Sequence, residues 1–62
     1  MADETLVHEV EGPKGKATIH EVPTVLPSGV QVVDYIVRCG DREESTRALG
    51  AAYATAQELA GA

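Results

Sequence analysis

Apolar and polar side chains alternate along residues 5–39, and after position 46 the apolar positions recur at intervals of three and four. A period of two is that of a half-buried strand, and the longer interval is that of an amphipathic helix. The first predicted strand is Thr5–Glu11. Leu6, His8 and Val10 fall on one face, and Thr5, Val7, Glu9 and Glu11 on the other. Gly12-Pro13-Lys14-Gly15 supplies a turn. The second strand is Lys16–Leu26, with Ala17, Ile19 and Glu21 on one face. Pro23 interrupts it and calls for a bulge or an edge position, because proline has no N–H to give a ladder. Pro27-Ser28-Gly29 suits a three-residue hairpin loop. The third strand, Val30–Cys39, lines one face with Val33, Tyr35, Val37 and Cys39, and the other with Val32, Asp34, Ile36 and Arg38. That loop sets Leu26 opposite Val30, Ile19 opposite Val37 and Ala17 opposite Cys39. The apolar faces of two strands then coincide, so turn chemistry and patterning agree.

Gly40-Asp41 ends the third strand. The helix is expected to begin between Asp41 and Thr46, with Asp41–Glu44 as a capping box or Ser45 or Thr46 as the cap. A short fourth strand near Arg42–Glu44 is the alternative. Leu49, Ala52, Tyr53, Ala56, Leu59 and Ala60 share one helical face. Glu43 and Arg47 form an i,i+4 pair if both are helical, with Glu43, Glu44 and Glu58 on its solvated side. Gly50 either lets the helix approach the sheet or is tolerated at some cost in helix propensity. Gly61 suits the helix end. The predicted fold class is α+β: a three-stranded antiparallel β-meander (5–39) with one C-terminal α-helix from the 42–60 region packed on one face, and a fourth strand as an option.

Composition sharpens this picture. The chain has 62 residues, enough for one small domain spanning 1–62 and near the lower limit for a fold without metal or disulfide. All eight Val residues lie between positions 7 and 37, and seven of nine Ala residues lie between 48 and 62. With no Phe or Trp, aromatic bulk rests on Tyr35 and Tyr53, both read as core with their hydroxyls at the rim. Such a core is thin, so marginal stability, or a homodimer burying an open edge or face, is expected. One Cys excludes an intramolecular disulfide framework and a cysteine-rich zinc module. No apolar run approaches the roughly 20 residues of a membrane span. The acidic start Met1-Ala2-Asp3-Glu4 lacks the basic region of a secretory signal, so a cytoplasmic location is expected.

Ten acidic residues against five basic ones give a net charge of −5. Phosphate backbones repel such a surface. Direct nucleic-acid binding would require Lys14, Lys16, Arg38 and Arg42 to converge on the sheet, and mimicry of nucleic acid by the acidic surface is the variant that needs no basic patch. Val7-His8-Glu9-Val10 recurs as Ile19-His20-Glu21-Val22, and His8 and His20 are the candidate metal ligands. Neighbouring His and Glu point to opposite faces of a strand, however, and the Gly12–Gly15 turn sets His8 opposite Ile19 rather than His20. Cys39 reads as a buried structural thiol, since no histidine stands at a spacing that would make it a nucleophile. Ser28 and Ser45 have local roles as turn and cap. Gly12-Pro-Lys-Gly15 lacks the pattern of a phosphate loop, and Pro13 removes a needed donor.

The order strand–strand–strand–helix resembles that of three kinds of small domain. They are the sheet-plus-helix DNA-binding domains of plant transcription factors and some integrases, the antitoxin partners of a small RNA-cleaving toxin family, and the second half of double-stranded-RNA-binding domains. The Ala-rich stretch Arg47–Ala60 is similar to their last helix. The likeness is architectural, and no motif carries a function across. The reading from sequence is therefore a small acidic non-catalytic domain that binds protein, itself or another. It has no cofactor, no catalytic residue, no membrane segment and no evident small-molecule substrate.

Overall fold

Residues 4–62 are described by the computed structural model, and along them the elements run β1 (Thr5–Gly12), β2 (Gly15–Val25), β3 (Gln31–Cys39), β4 (Arg42–Thr46) and α1 (Leu49–Ala60). The strands form one antiparallel sheet in the order β1-β2-β3-β4, and α1 packs against one of its faces. The α+β meander with a C-terminal helix is thus present, and its fourth strand is formed. Ile19 pairs with Val37 and Ala17 with Cys39, as the hairpin loop requires. At the loop itself the Leu26 N–H donates to the Val30 carbonyl (2.9 Å) and the Gly29 N–H to the Leu26 carbonyl (2.8 Å).

Two expectations about local structure need correction. The segment 42–60 is not one helical region. Arg42–Thr46 continues the meander, and α1 begins at Leu49. Gly40-Asp41 makes a tight reversal, and Glu43 then lies directly opposite Arg38, to which it is bonded. Ladder and ion pair together outcompete a capping box at Asp41–Glu44. Ala48 stands at the N-cap in extended backbone with no side-chain cap, and Ser45 and Thr46 lie within β4. The Glu43–Arg47 pair is likewise replaced: Glu43 binds Arg38, and Arg47 binds Asp34.

The second correction concerns β1. Leu6 pairs with His20 and His8 with Ile19, so Val7 is an extra residue in a β-bulge. One inserted residue moves the preceding side chains to the other face. Leu6 therefore does not share a face with His8 and Val10.

The core consists of Ala17, Ile19, Val37 and Cys39 from the sheet and Ala52, Ala56, Leu59 and Ala60 from the helix, with Val10, Tyr35 and Tyr53 packed around them. Small alanines let the helix lie close to the strands, and Ile19 and Val37 are the largest fully buried side chains. Leu49, expected on the buried face, stays 36% exposed at the helix start.

The helix end is tied to the sheet. The Ala62 N–H donates to the Gln57 carbonyl (2.9 Å) and the Gly61 N–H to the Glu58 carbonyl (3.2 Å), a Schellman arrangement with Gly61 in the left-handed region. The Cys39 thiol donates to the Leu59 carbonyl (3.6 Å), and the Lys14 N–H of the β1–β2 turn donates to the Ala60 carbonyl (2.9 Å). Each of the last four carbonyls, which have no partner within a helix, thereby has one. The contact is close enough that Gly12 lies against the Ala60 backbone. A Cβ there would stand 2.9 Å from the Ala60 carbonyl carbon and 3.0 Å from the Ala62 nitrogen, and it would overlap the Ala60 oxygen. Gly50, by contrast, has open space around it. The close approach occurs at the turn glycine, not at the helical one.

Candidate interaction surface

Strand alternation leaves the second face of the sheet without a covering element among the described residues. Thr18, His20, Val22 and Thr24 from β2 and Val32, Asp34, Ile36 and Arg38 from β3 form its centre, all of them half-buried by their own neighbours. Leu6 from β1 adds an exposed apolar edge.

Charge on this face is internally matched. Arg38 sits near the middle. Its Nη1 and Nη2 donate to the two carboxylate oxygens of Glu4 (2.7 and 2.8 Å), and its Nε donates to Glu43 (2.7 Å). The forked pair lowers the Glu4 carboxyl from its ordinary value, chiefly through the hydrogen bond from Arg38; desolvation opposes this, and the guanidinium charge adds a lesser lowering. The same two carboxylates raise the Arg38 pKa further, chiefly through those hydrogen bonds. Lys16 lies 3.2 Å from Glu9 and 3.9 Å from Glu11. Asp34 accepts from Thr24 (3.2 Å) and from Arg47 (3.2 Å).

The basic residues proposed for nucleic acid do not converge. Lys16 and Arg38 are on the uncovered face, both held by carboxylates. Arg42 pairs with Cys39 on the helix side, and Lys14 lies in the β1–β2 turn with its stem over Gly61.

The two histidines are also separated. His8 is on the helix side, its ring edge-on to Tyr53 with centroids 4.8 Å apart. His20 is on the other face, its Nε2 3.0 Å from the Thr18 hydroxyl. Among the described residues no group of three or more His, Cys, Asp or Glu is placed to hold a metal ion. Cys39 is buried with its thiol directed at a helix carbonyl. Among the described residues no helix is long and apolar enough to cross a membrane.

One feature of the surface was not read from the sequence. Among the described residues, β1 pairs with β2 only as far as Glu21, and β4 pairs with β3 only as far as Tyr35. Beyond those points β2 and β3 continue as a two-stranded arm tipped by Pro27-Ser28-Gly29, and the molecule measures 42 × 20 × 17 Å. Every Asp, Glu, Lys and Arg lies outside the stretch Val22–Val33 that makes most of this arm. Val25, Val30 and Val33 are 64%, 55% and 36% exposed. The signal was available as a twelve-residue uncharged run in a chain otherwise rich in charge.

A scan against protein-family models and searches of curated proteins and of solved structures found no match.

Proposed function

We propose that this chain is a non-catalytic protein-interaction domain that binds through the β2–β3 arm and the adjoining uncovered face of the sheet. The observation that carries this reading is the arm itself. A two-stranded ribbon standing alone in water is marginal, and this one keeps valines in solvent while the rest of the surface carries the charge. Supporting it, the residues of catalytic type are dispersed or engaged: the imidazoles lie on opposite faces, and the Cys39 thiol is bonded to a carbonyl. The cations of the open face are already matched by carboxylates, which favours a protein partner over a polyanion.

The test is quantitative capture on the immobilised chain, in parallel with a Val25→Lys variant, together with sedimentation over a wide concentration range. A saturable partner or self-association that the variant weakens at least tenfold is expected. Neither self-association nor a saturable partner, or binding indifferent to the variant, would remove the basis for the reading.

A further inference from the structure

The sheet has several stretches of unpaired backbone, and they differ in what guards them. The outer edge of β4 reads Arg42-Glu43-Glu44, and that of β1 carries Glu9, Glu11 and a bulge. Charges and bulges on an edge oppose strand addition. On the arm, the β2 edge past Glu21 contains Pro23, which has no N–H to offer. The β3 edge from Val30 to Val33 has no charge, bulge or proline, and Asp34, which follows it, is engaged by Arg47.

Its hydrogen-bonding phase follows from two independent facts. The Leu26 N–H donates to the Val30 carbonyl, so Val30 belongs to the set of residues bonded across to β2. Residues alternate in an antiparallel ladder, which assigns Val32 and Asp34 to the same set and leaves Gln31 and Val33 directed outward. Pro23 stands opposite Val33, as a residue without an N–H requires of a pair that exchanges no bonds. Gln31 and Val33 therefore turn N–H and C=O toward the side where β4 has ended.

We infer that this β3 edge pairs antiparallel with the same edge of a second copy of the chain, about a two-fold axis at Val32. The inference rests on the protein-binding reading above and names the partner. Gln31 of each copy faces Val33 of the other, and the two outward residues exchange both backbone bonds in each pair. Val32 meets its own copy across the axis. Charge selects a second copy over a charged peptide: the edge is neutral, so it offers a basic or acidic strand no complement, yet it is self-complementary about the axis. It also solves a problem of self-repulsion. Two bodies of net charge −5 repel. In this arrangement the two Tyr35 positions, where the bodies begin, are six residues apart along the ribbon, or about 20 Å. That is about 2.5 Debye lengths at physiological ionic strength.

The paired edge is short, so association is weak and the experiment must reach millimolar protein. Sedimentation equilibrium of the full chain is followed across concentration, with amide hydrogen exchange resolved at Gln31 and Val33. Concentration-dependent dimers are expected, with both amides becoming protected as dimer forms. Val33→Pro removes one outward N–H without touching the β2–β3 ladder, and Val33→Lys puts a charge in each of the two bonded pairs that flank the axis. Each is expected to weaken association at least tenfold while the far-ultraviolet circular dichroism is retained. Should either variant unfold, the exchange rates of the wild-type amides decide the matter alone. A monomer at every concentration, or a dimer in which both amides exchange freely, overturns the self-pairing. If the monomer nevertheless captures another protein through Val25, only this inference falls; if it captures nothing, the interaction reading falls with it.

Discussion

Gly12, Gly50 and Ala48 show how differently single positions of similar residue type are constrained. At Gly12 the helix C-terminus occupies the space of a Cβ, and the neighbouring Lys14 N–H holds the Ala60 carbonyl. Gly12→Ala must push turn and helix apart, and we expect a loss of about 1–3 kcal/mol in urea unfolding, the range of overpacking. Gly50→Ala meets nothing and relieves backbone entropy, for an expected gain of about 0.5–1 kcal/mol in the same measurement. Ala48 has the extended backbone of an N-cap without a capping oxygen, and the first turn has no acidic residue. Ala48→Asp is expected to raise stability by about 1 kcal/mol. Glu4 provides the pH-dependent case. Its pKa is lowered in the folded chain, so its contribution is present above its ordinary value near 4.5 and is lost as pH falls through the folded value. Arg38→Ala should return the Glu4 titration, followed by carboxyl NMR shifts, toward 4.5; a titration unchanged by the substitution would show that the fork is not the cause.

Among the elements, β3 is the most demanding. It pairs on both sides, contributes Val37 and Cys39 to the core, and carries Arg38 to the centre of the open face. Its partner α1 has only alanines, Leu59 and Tyr53 to offer, so the packing of the two rests on closeness rather than bulk. Val37→Ala or Ile19→Ala removes one of the two largest fully buried side chains. Losses of this kind run to roughly 1–5 kcal/mol. In so thin a core either substitution is expected to leave a chain with little cooperative unfolding by circular dichroism. Ala52→Leu, on the other side of the same interface, tests closeness directly and should destabilise despite adding apolar surface. The strands and loop of the β2–β3 hairpin were legible because two signals, alternation and turn chemistry, had to agree on one register. The start of α1 was not. Residues 41–46 contain good caps and good helix formers, and the ladder to β3, with the Arg38–Glu43 pair across it, turned Arg42–Thr46 into β4.

For the whole molecule, length and alternation along the chain determined the meander, its β2–β3 register and the alanine-lined helix that covers one face. Those features follow from local rules: a strand shows its neighbours every second side chain, and a three-residue loop admits few registers. Where β1 and β4 stop relative to the hairpin, the bulge at Val7, the separation of His8 from His20 and the meeting of Gly12 with Ala60 were decided only in three dimensions. Each depends on residues distant along the chain competing for the same space or the same hydrogen bond. A linear pattern records which side chains a strand can bury, but not which neighbouring strand ends first and leaves an edge bare.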